Sequence, residues 1–138
     1  SLKNIEDIVE GDKVLSYDEI SGEIVEAEVG YRTINIYVKN MAILTFSDGS
    51  TVNVTAGHAW LTKNGWHSIE NAGGYDTMVV GDEIKTVDGW KTLTNIEIYV
   101  PTEPVTIYNL HIKDSEDGRY CHNYFAEGGC AHNIVSAV

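Results

Sequence analysis

Basic residues are scarce in this sequence. The chain has 138 residues, with 9 lysines and arginines against 21 aspartates and glutamates, so its formal net charge is -12 at pH 7. A protein that binds nucleic acid through the phosphates needs clustered Lys and Arg side chains. The few basic residues are instead spread along the chain, and the sequence therefore predicts no nucleic-acid partner.

Long apolar runs, prolines and cysteines are also few. No stretch approaches the roughly 20 apolar residues of a membrane-spanning helix, and no charged-then-apolar leader is visible, so we expect neither a membrane span nor a signal peptide. Cys121 and Cys130 are the two cysteines, too few for a disulfide scaffold, and each is expected to act as a small buried apolar side chain. With 43% hydrophobic residues, the chain predicts one domain with its own core. The sequence indicates no particular cellular compartment.

Short alternating segments dominate the sequence, and helical periodicity is rare. Leu2, Ile5 and Ile8 recur at helical spacing for one or two turns, after which Gly11 breaks the pattern. Elsewhere apolar and polar residues alternate in segments of strand length. We predict strands near residues 13–17, 41–46, 51–55, 92–100 and 105–113, and either one long strand or a bent strand pair over residues 25–38. The pattern predicts an all-β domain with a single core, but periodicity does not say which strands pair.

Tight turns and a weak internal echo organise these strands. The dipeptides Asp48-Gly49 and Asn64-Gly65 favour hairpin turns because they tolerate positive φ. Residues 10–14 (Glu-Gly-Asp-Lys-Val) are echoed by residues 80–84 (Val-Gly-Asp-Glu-Ile), and each segment leads into a strand and a turn. The echo predicts an internal duplication into two similar β-rich halves.

Two histidines and an asparagine stand close together near the C-terminus: His122, His132 and Asn133. An asparagine side-chain amide can attack its own backbone carbonyl, form a succinimide and cut the chain behind it. The reaction is slow unless one neighbour protonates the leaving nitrogen and another polarises the carbonyl, and histidine suits both tasks near neutral pH. Alone, a His-Asn pair is a weak signal, because many surface loops hold one.

In combination, these segments resemble the Hint domain, the fold shared by inteins, bacterial intein-like domains and hedgehog autoprocessing domains. The resemblance covers nearly the whole chain and implies an all-β, horseshoe-like fold of two pseudo-symmetric halves. No endonuclease insertion fits in this length, so the chain resembles a mini-intein. The matching segments are residues 2–8 and 11–14, Thr55 to His58 as the Thr-x-x-His motif, Gly81-Asp82, and residues 105–110, 122–125 and 129–133.

The resemblance implies protein splicing or self-cleavage, performed once on the chain itself and without any cofactor or metal. Thr55 and His58 would assist an acyl shift at the N-terminal junction, while Asn133 would cyclise with help from His132 and His122 and cut before Ile134. Residues 1–133 would then form the Hint domain, and residues 134–138 would be a flanking tail. The partners would be the chain's own flanking host (extein) sequences.

The sequence departs from the family pattern at three places. The opening nucleophile block is missing, and Ser1 stands where the second family segment begins, which favours a cut point over the attacking group. A short complementary N-terminal intein fragment, as in a split intein, would supply the missing strand. Ile134 cannot accept an acyl group as the Cys, Ser or Thr of splicing inteins does, so we expect cleavage rather than ligation. Asn109 stands where the family often has Asp, and it cannot act as a carboxylate base.

Two alternatives remain open from the sequence. Cys121, His122, Cys130 and His132 could hold a zinc ion tetrahedrally, although adjacent strand residues such as Cys121 and His122 point to opposite faces. A catalytically inactive β-domain that serves as an interaction module is the other alternative. His67 and His111 match no motif, and we assign them to the surface or to packing.

Overall fold

The computed structural model describes residues 7–37, 39–70, 74–114, 119, 121–126 and 129–132, with the backbone alone for residues 37, 126 and 129–132. Within these residues the regular secondary structure is almost entirely β, which confirms the all-β prediction. No described segment is a helix with the length and apolar character needed to cross a membrane. The strands are β1 Lys13–Tyr17, β2 Ile24–Tyr37, β3 Met41–Phe46, β4 Thr51–Thr55, β5 Trp60–Thr62, β6 Gly65–Ser68, β7 Asp76–Thr77, β8 Glu83–Thr86, β9 Gly89–Tyr99, β10 Val105–Ile112, β11 Asn123–Ala126 and β12 Gly129–His132.

The described strands form two sheets. The smaller sheet has the order β1-β2-β10, and both of its pairings are antiparallel. The larger sheet follows the path β4-β3-β9-β8-β12-β5-β6-β7, with β11 paired to β12 and β5 also paired to β8. Only β6 and β7 pair in parallel among the described strands. The C-terminal strand β12 thus lies beside two strands from the middle of the chain, β5 and β8.

The long strand β2 joins two parts of the smaller sheet. Its first part pairs with β1 in the register Lys13↔Glu28, and its later part pairs with β10 up to Val105↔Tyr37. The ladder between β2 and β10 shifts register between His111 and Ile112. Gly30 lies against β10 at this irregularity. A Cβ placed on Gly30 would lie 3.3 Å from the carbonyl oxygen of His111, so a larger residue would push the strands apart. Of the two arrangements predicted for residues 25–38, a long strand or a bent strand pair, the structure has one long strand.

The two predicted dipeptide turns are both present. The β3–β4 turn contains Gly49 with φ of 86°, and the β5–β6 turn contains Gly65 with φ of 103°. These left-handed conformations are readily adopted by glycine, which has no Cβ. The predicted helical turn at residues 2–8 lies largely outside the described residues.

The internal echo corresponds to two turns with the same geometry. Gly11 and Gly81 have φ of 90° and 101°, and in each turn the following aspartate accepts a hydrogen bond from the backbone N–H three residues earlier at 3.0 Å. Each glycine N–H also donates at 2.9 Å to the neighbouring long strand. The bonded atoms are Gly11 N with Val29 O, and Gly81 N with Leu93 O. The repeated Gly-Asp segment thus begins β1–β2 in one half and β8–β9 in the other.

A single hydrophobic cluster draws on both sheets. Val29, Leu110 and Ile112 come from the smaller sheet, and Leu44 and Ile84 come from the larger one, each with at most 2% of its surface exposed. This arrangement confirms the expected single core. It also fixes how the sheets meet, since burying these side chains is the main favourable term in folding.

Candidate functional site

The pairing of β12 brings distant parts of the chain together. Its Ala131 lies opposite Trp60 of β5, and Gly129 lies opposite Thr86 of β8. On the other side, His132 lies opposite Asn123, the first residue of β11. The end of β12 therefore lies between the start of β11 and the start of β5. The loop that precedes β5 leads directly into this place.

The Thr-x-x-His segment connects β4 to β5 at this place. Thr55 is the last residue of β4, and its carbonyl accepts a hydrogen bond of 3.3 Å from the N–H of His58. The imidazole of His58 is half-buried, with its ring centroid 5.9 Å from that of Trp60 and 6.4 Å from that of Tyr124. Because Tyr124 belongs to β11, the predicted residue His58 lies against the strand that His122 precedes.

Tyr124 connects β11 to β10. It is 2% exposed and lies opposite Ala131 of β12. Its hydroxyl lies 3.4 Å from Oδ1 of Asn109 as a donor. Burial raises the pKa of the Tyr124 phenol to about 12, and a hydrogen bond with the backbone of Leu110 opposes this only in part. The phenol therefore stays neutral near pH 7 and can donate a hydrogen bond to Asn109.

Asn123 pins β11 to the smaller sheet. It is fully buried, and its Oδ1 accepts hydrogen bonds from the Ser16 hydroxyl at 3.0 Å and from the Tyr17 N–H at 2.7 Å. Its Nδ2 donates to the Tyr17 carbonyl at 2.8 Å, and its own carbonyl accepts a second bond from Ser16 at 2.8 Å. A buried amide with this set of partners holds its backbone in place, and that backbone leads directly from His122.

His122 is half-buried and contacts a carboxylate. Its Nε2 lies 2.9 Å from Oδ1 of Asp114, and the pair is ionic when the imidazole is protonated. Asp114 follows the end of β10, and His122 precedes the start of β11, so the contact closes the connection between these strands. The sequence predicted His122 as a site residue and assigned no role to Asp114.

The structure brings some of the predicted residues together and leaves others untested. Thr55, His58 and His122 lie on neighbouring segments around β5, β11 and β12. The backbone of His132 ends β12, but its side chain is outside the described atoms. Ser1, Asn133 and Ile134 also lie outside the described residues, so their roles stay predictions.

Sequence reasoning missed three residues that shape this region: Asn123, Tyr124 and Asp114. The available signal was small. Asn123 and Tyr124 stood in the motif that follows His122, but nothing local showed that the amide is buried against a strand more than one hundred residues away (a separation of 107 residues for Ser16). Asp114 carried no signal, because its contact depends on how the β10–β11 connection closes.

The zinc alternative gains no donor set from the described side chains. Among them, no three His, Cys, Asp or Glu residues lie close enough to hold a metal ion. Cys121 is a buried thiol within the hydrophobic cluster, which agrees with its interpretation as a small apolar side chain. The side chains of Cys130 and His132 lie outside the described atoms, and the four-residue set as a whole stays untested.

The two histidines that matched no motif are packing residues. His67 is buried, and its Nδ1 lies 2.9 Å from Oδ2 of Asp82 in the second Gly-Asp turn. His111 stacks on Tyr31 with ring centroids 4.6 Å apart. His67 lies on β6 and the half-buried His111 lies on β10, which agrees with the prediction that both belong to the surface or to packing.

Comparison with known proteins identifies the fold. Residues 1–135 match the family described as the pretoxin HINT domain. The chain is similar to the bacterial intein-like domain from Clostridium thermocellum, with a TM-score of 0.74 and 22% identity over 94% of this chain and 86% of that chain. It is also similar to a DnaB intein from Synechocystis sp. PCC 6803, with a TM-score of 0.68 and 18% identity over 96% of this chain and 87% of that chain. At these identities the likeness to solved structures shows the shared fold. No curated protein sequence matches the chain.

Proposed function

Because the chain belongs to the pretoxin HINT domain family, and so to the Hint superfamily of protein-splicing and autoprocessing domains, we propose that it cuts its own backbone after Asn133. The observation that carries the proposal is the position of β12. This strand ends at His132 opposite Asn123, next to His122, while its other neighbour β5 follows His58. Asn133 is the next residue along the chain, so it is covalently tied to the strand end where these histidine-bearing segments meet.

The proposed reaction consumes no water and needs no cofactor. The side-chain nitrogen of Asn133 attacks the backbone carbonyl carbon of the same residue, and the new C–N bond closes a succinimide ring. The peptide bond to Ile134 breaks, and the Ile134 nitrogen leaves as a free amine. One proton passes from the attacking amide to a base, and one proton passes from an acid to the leaving nitrogen, so the charges balance.

His122 and His132 are the proposed proton carriers. Both imidazoles can accept or donate a proton near neutral pH. A positioned acid or base typically accelerates such a step on the order of 10²–10⁴-fold, and holding the reacting groups together adds the benefit of proximity. The pairing of β11 with β12 supports the proposal, because it joins the segments that carry His122 and His132.

A second reaction is proposed at the N-terminal junction. A Ser hydroxyl or Cys thiol would attack the preceding carbonyl carbon, and Thr55 and His58 would hold and polarise that peptide. The new C–O or C–S bond would replace the peptide C–N bond, and the proton of the nucleophile would pass to the freed amine. The nucleophile would be Ser1 or the first residue of a complementary N-terminal fragment. Ile134 offers no side-chain nucleophile, so the acyl group would be released by cleavage and not passed to the downstream host segment. The host precursor would supply both flanking sequences.

The test is a fusion of a reporter beyond Val138, analysed by intact mass. We expect release of the reporter and a remaining chain that ends in an Asn133 succinimide, one water lighter than the hydrolysis product. The change Asn133→Ala should abolish this cut while the fold persists. Asn95→Ala is the matched control, because Asn95 is exposed on β9. This variant should cleave at the parent rate.

Addition of a synthetic peptide that carries a Cys-led first strand tests the proposed N-terminal fragment. Faster cleavage with this peptide would support a split arrangement. Cleavage at the same bond in Asn133→Ala would contradict the cyclisation. A folded parent chain that does not cleave, with or without the peptide, would favour the inactive interaction module.

A further inference from the structure

We infer that Asp114 is a positioning residue for His122, and that it makes Nδ1 the imidazole nitrogen that exchanges a proton with the reacting peptide. The inference deepens the proposed autoprocessing and rests on it. Nothing in the sequence motif assigns a role to Asp114. The contact between the His122 Nε2 and the Asp114 Oδ1, at 2.9 Å, is the observation that carries the inference.

The chemistry of the two groups decides which nitrogen is engaged. An ionised carboxylate only accepts hydrogen bonds, so the nitrogen that bonds to it must carry a proton. Nε2 of His122 is therefore an N–H donor in both the neutral and the charged imidazole. In the neutral ring the lone pair is then on Nδ1. The carboxylate thereby selects one of the two neutral tautomers, which is the role a carboxylate has beside a catalytic histidine in hydrolase triads.

Both ends of this contact are tied to the smaller sheet. Lys113, next to Asp114, donates its backbone N–H to the Glu28 carbonyl of β2 at 2.8 Å. Asn123, next to His122, is bound to β1 by the hydrogen bonds described above. Since β1 and β2 pair directly, the two residues are held at a set separation by the same framework. The backbone beside each end of the contact is thus anchored by structure outside the reacting segment.

The solvent exposure of the Asp114 and His122 side chains indicates that their contact positions the imidazole and adds little to the stability of the fold. The Asp114 side chain is 84% exposed and that of His122 is 36% exposed. Ion pairs in such surroundings contribute little to stability. A change at Asp114 should therefore leave the fold intact, and any effect on cleavage reports on how His122 is held.

The proton balance of the step follows from this arrangement. The proton that leaves the Asn133 side-chain amide is taken by the lone pair on Nδ1 of His122. The ring becomes an imidazolium that carries a proton on each nitrogen, and Asp114 continues to accept from Nε2. The separate acid, His132, protonates the leaving Ile134 nitrogen. The imidazolium then returns its proton to solvent.

The first readout is the tautomer of His122, measured by nitrogen NMR of the imidazole in the Asn133→Ala background, where the chain stays intact. We expect neutral His122 to carry its proton on Nε2. The change Asp114→Asn preserves the size of the side chain, but the new amide can either donate or accept a hydrogen bond. It should therefore no longer select one neutral tautomer of His122. Asp88→Asn is the matched control, because Asp88 is an exposed aspartate in the β8–β9 turn and should leave His122 unchanged.

The second readout is the rate of reporter release in chains that keep Asn133. Asp114→Asn should slow cleavage about tenfold, less than the loss of a complete acid–base group, while Asp88→Asn cleaves at the parent rate. A neutral His122 without a proton on Nε2 would overturn the inference, and so would equal rates for Asp114→Asn and its control. If the parent chain does not cleave at all, the proposed function fails, while the tautomer measurement still decides whether Asp114 orients the ring.

Discussion

At the scale of single residues, the site depends on polar groups whose chemistry is set by burial. Tyr124 illustrates this, because its phenol is 2% exposed and its pKa is raised by burial to about 12 from 10. Between these values the unfolded chain loses the phenolic proton, while the folded chain keeps it. The free energy of unfolding therefore falls as the pH rises from 10 to 12.

The first prediction concerns the change Tyr124→Phe. The contribution of the buried phenol is intact below pH 10 and is lost by pH 12, and two pKa units correspond to about 2.7 kcal/mol. At pH 8 the variant should be less stable by about 1 kcal/mol, because a hydrogen bond is lost. Above pH 10 its stability should decline less than that of the parent. Urea unfolding at a series of pH values measures both effects.

A matched substitution serves as the control. The Tyr99 hydroxyl binds Asn53 in an exposed hydrogen bond, so Tyr99→Phe should follow the parent curve above pH 10. An alkaline decline in Tyr124→Phe as steep as that of the parent would show that the Tyr124 phenol is not the buried group responsible.

At the scale of elements, the two Gly-Asp turns share one geometry but have different surroundings. Asp12 and Asp82 each accept a backbone N–H at 3.0 Å. Asp82 also contacts the buried His67 at 2.9 Å, and the two side chains are 8% and 9% exposed. The second turn is therefore attached to β6 through the contact of Asp82 with His67.

The second prediction compares Asp82→Ala with Asp12→Ala. Loss of the turn bond should cost about 1 kcal/mol in either variant. Asp82→Ala also leaves His67 buried without its carboxylate, so its total cost should reach about 3 kcal/mol. Urea unfolding at pH 7 measures the difference. A loss of only about 1 kcal/mol in Asp82→Ala would mean that the contact with His67 adds nothing to stability.

At the scale of the whole molecule, the buried amide of Asn123 links the two sheets. Asn123 belongs to β11 of the larger sheet, and its amide is bound to Ser16 and Tyr17 of β1 in the smaller sheet. No other polar side chain among those described combines complete burial with three side-chain bonds to the other sheet. The link also fixes the backbone from which His122 projects.

The third prediction is that Asn123→Ala lowers the free energy of unfolding by about 3 kcal/mol, because the β1 groups lose their partners in a buried place. The control Asn95→Ala removes an exposed amide from β9 and should change stability by less than about 0.5 kcal/mol. Urea unfolding gives both values, and amide hydrogen exchange should show faster opening of β11 and β12 in Asn123→Ala. A loss as small as that of the control would contradict the linking role.

Local signals in the sequence determined much of the fold. Alternating residues predicted the long β2, and the Asp48-Gly49 and Asn64-Gly65 dipeptides predicted two hairpins, because strand alternation and positive φ are properties of a few neighbouring residues. The repeated Gly-Asp segment predicted the two halves for the same reason. Motif order along the chain also identified the family, since it does not depend on which strands pair.

Only the tertiary structure decided how these pieces meet. Ala131 pairs with Trp60, and Asn123 binds Ser16 across 107 positions of the chain. Such contacts depend on the burial of the shared core and on the satisfaction of buried polar groups, neither of which is encoded within one segment. The sequence by itself therefore determined the strands, the turns and the candidate histidines, while the packing of distant strands decided that His58, Tyr124 and the end of β12 share one place.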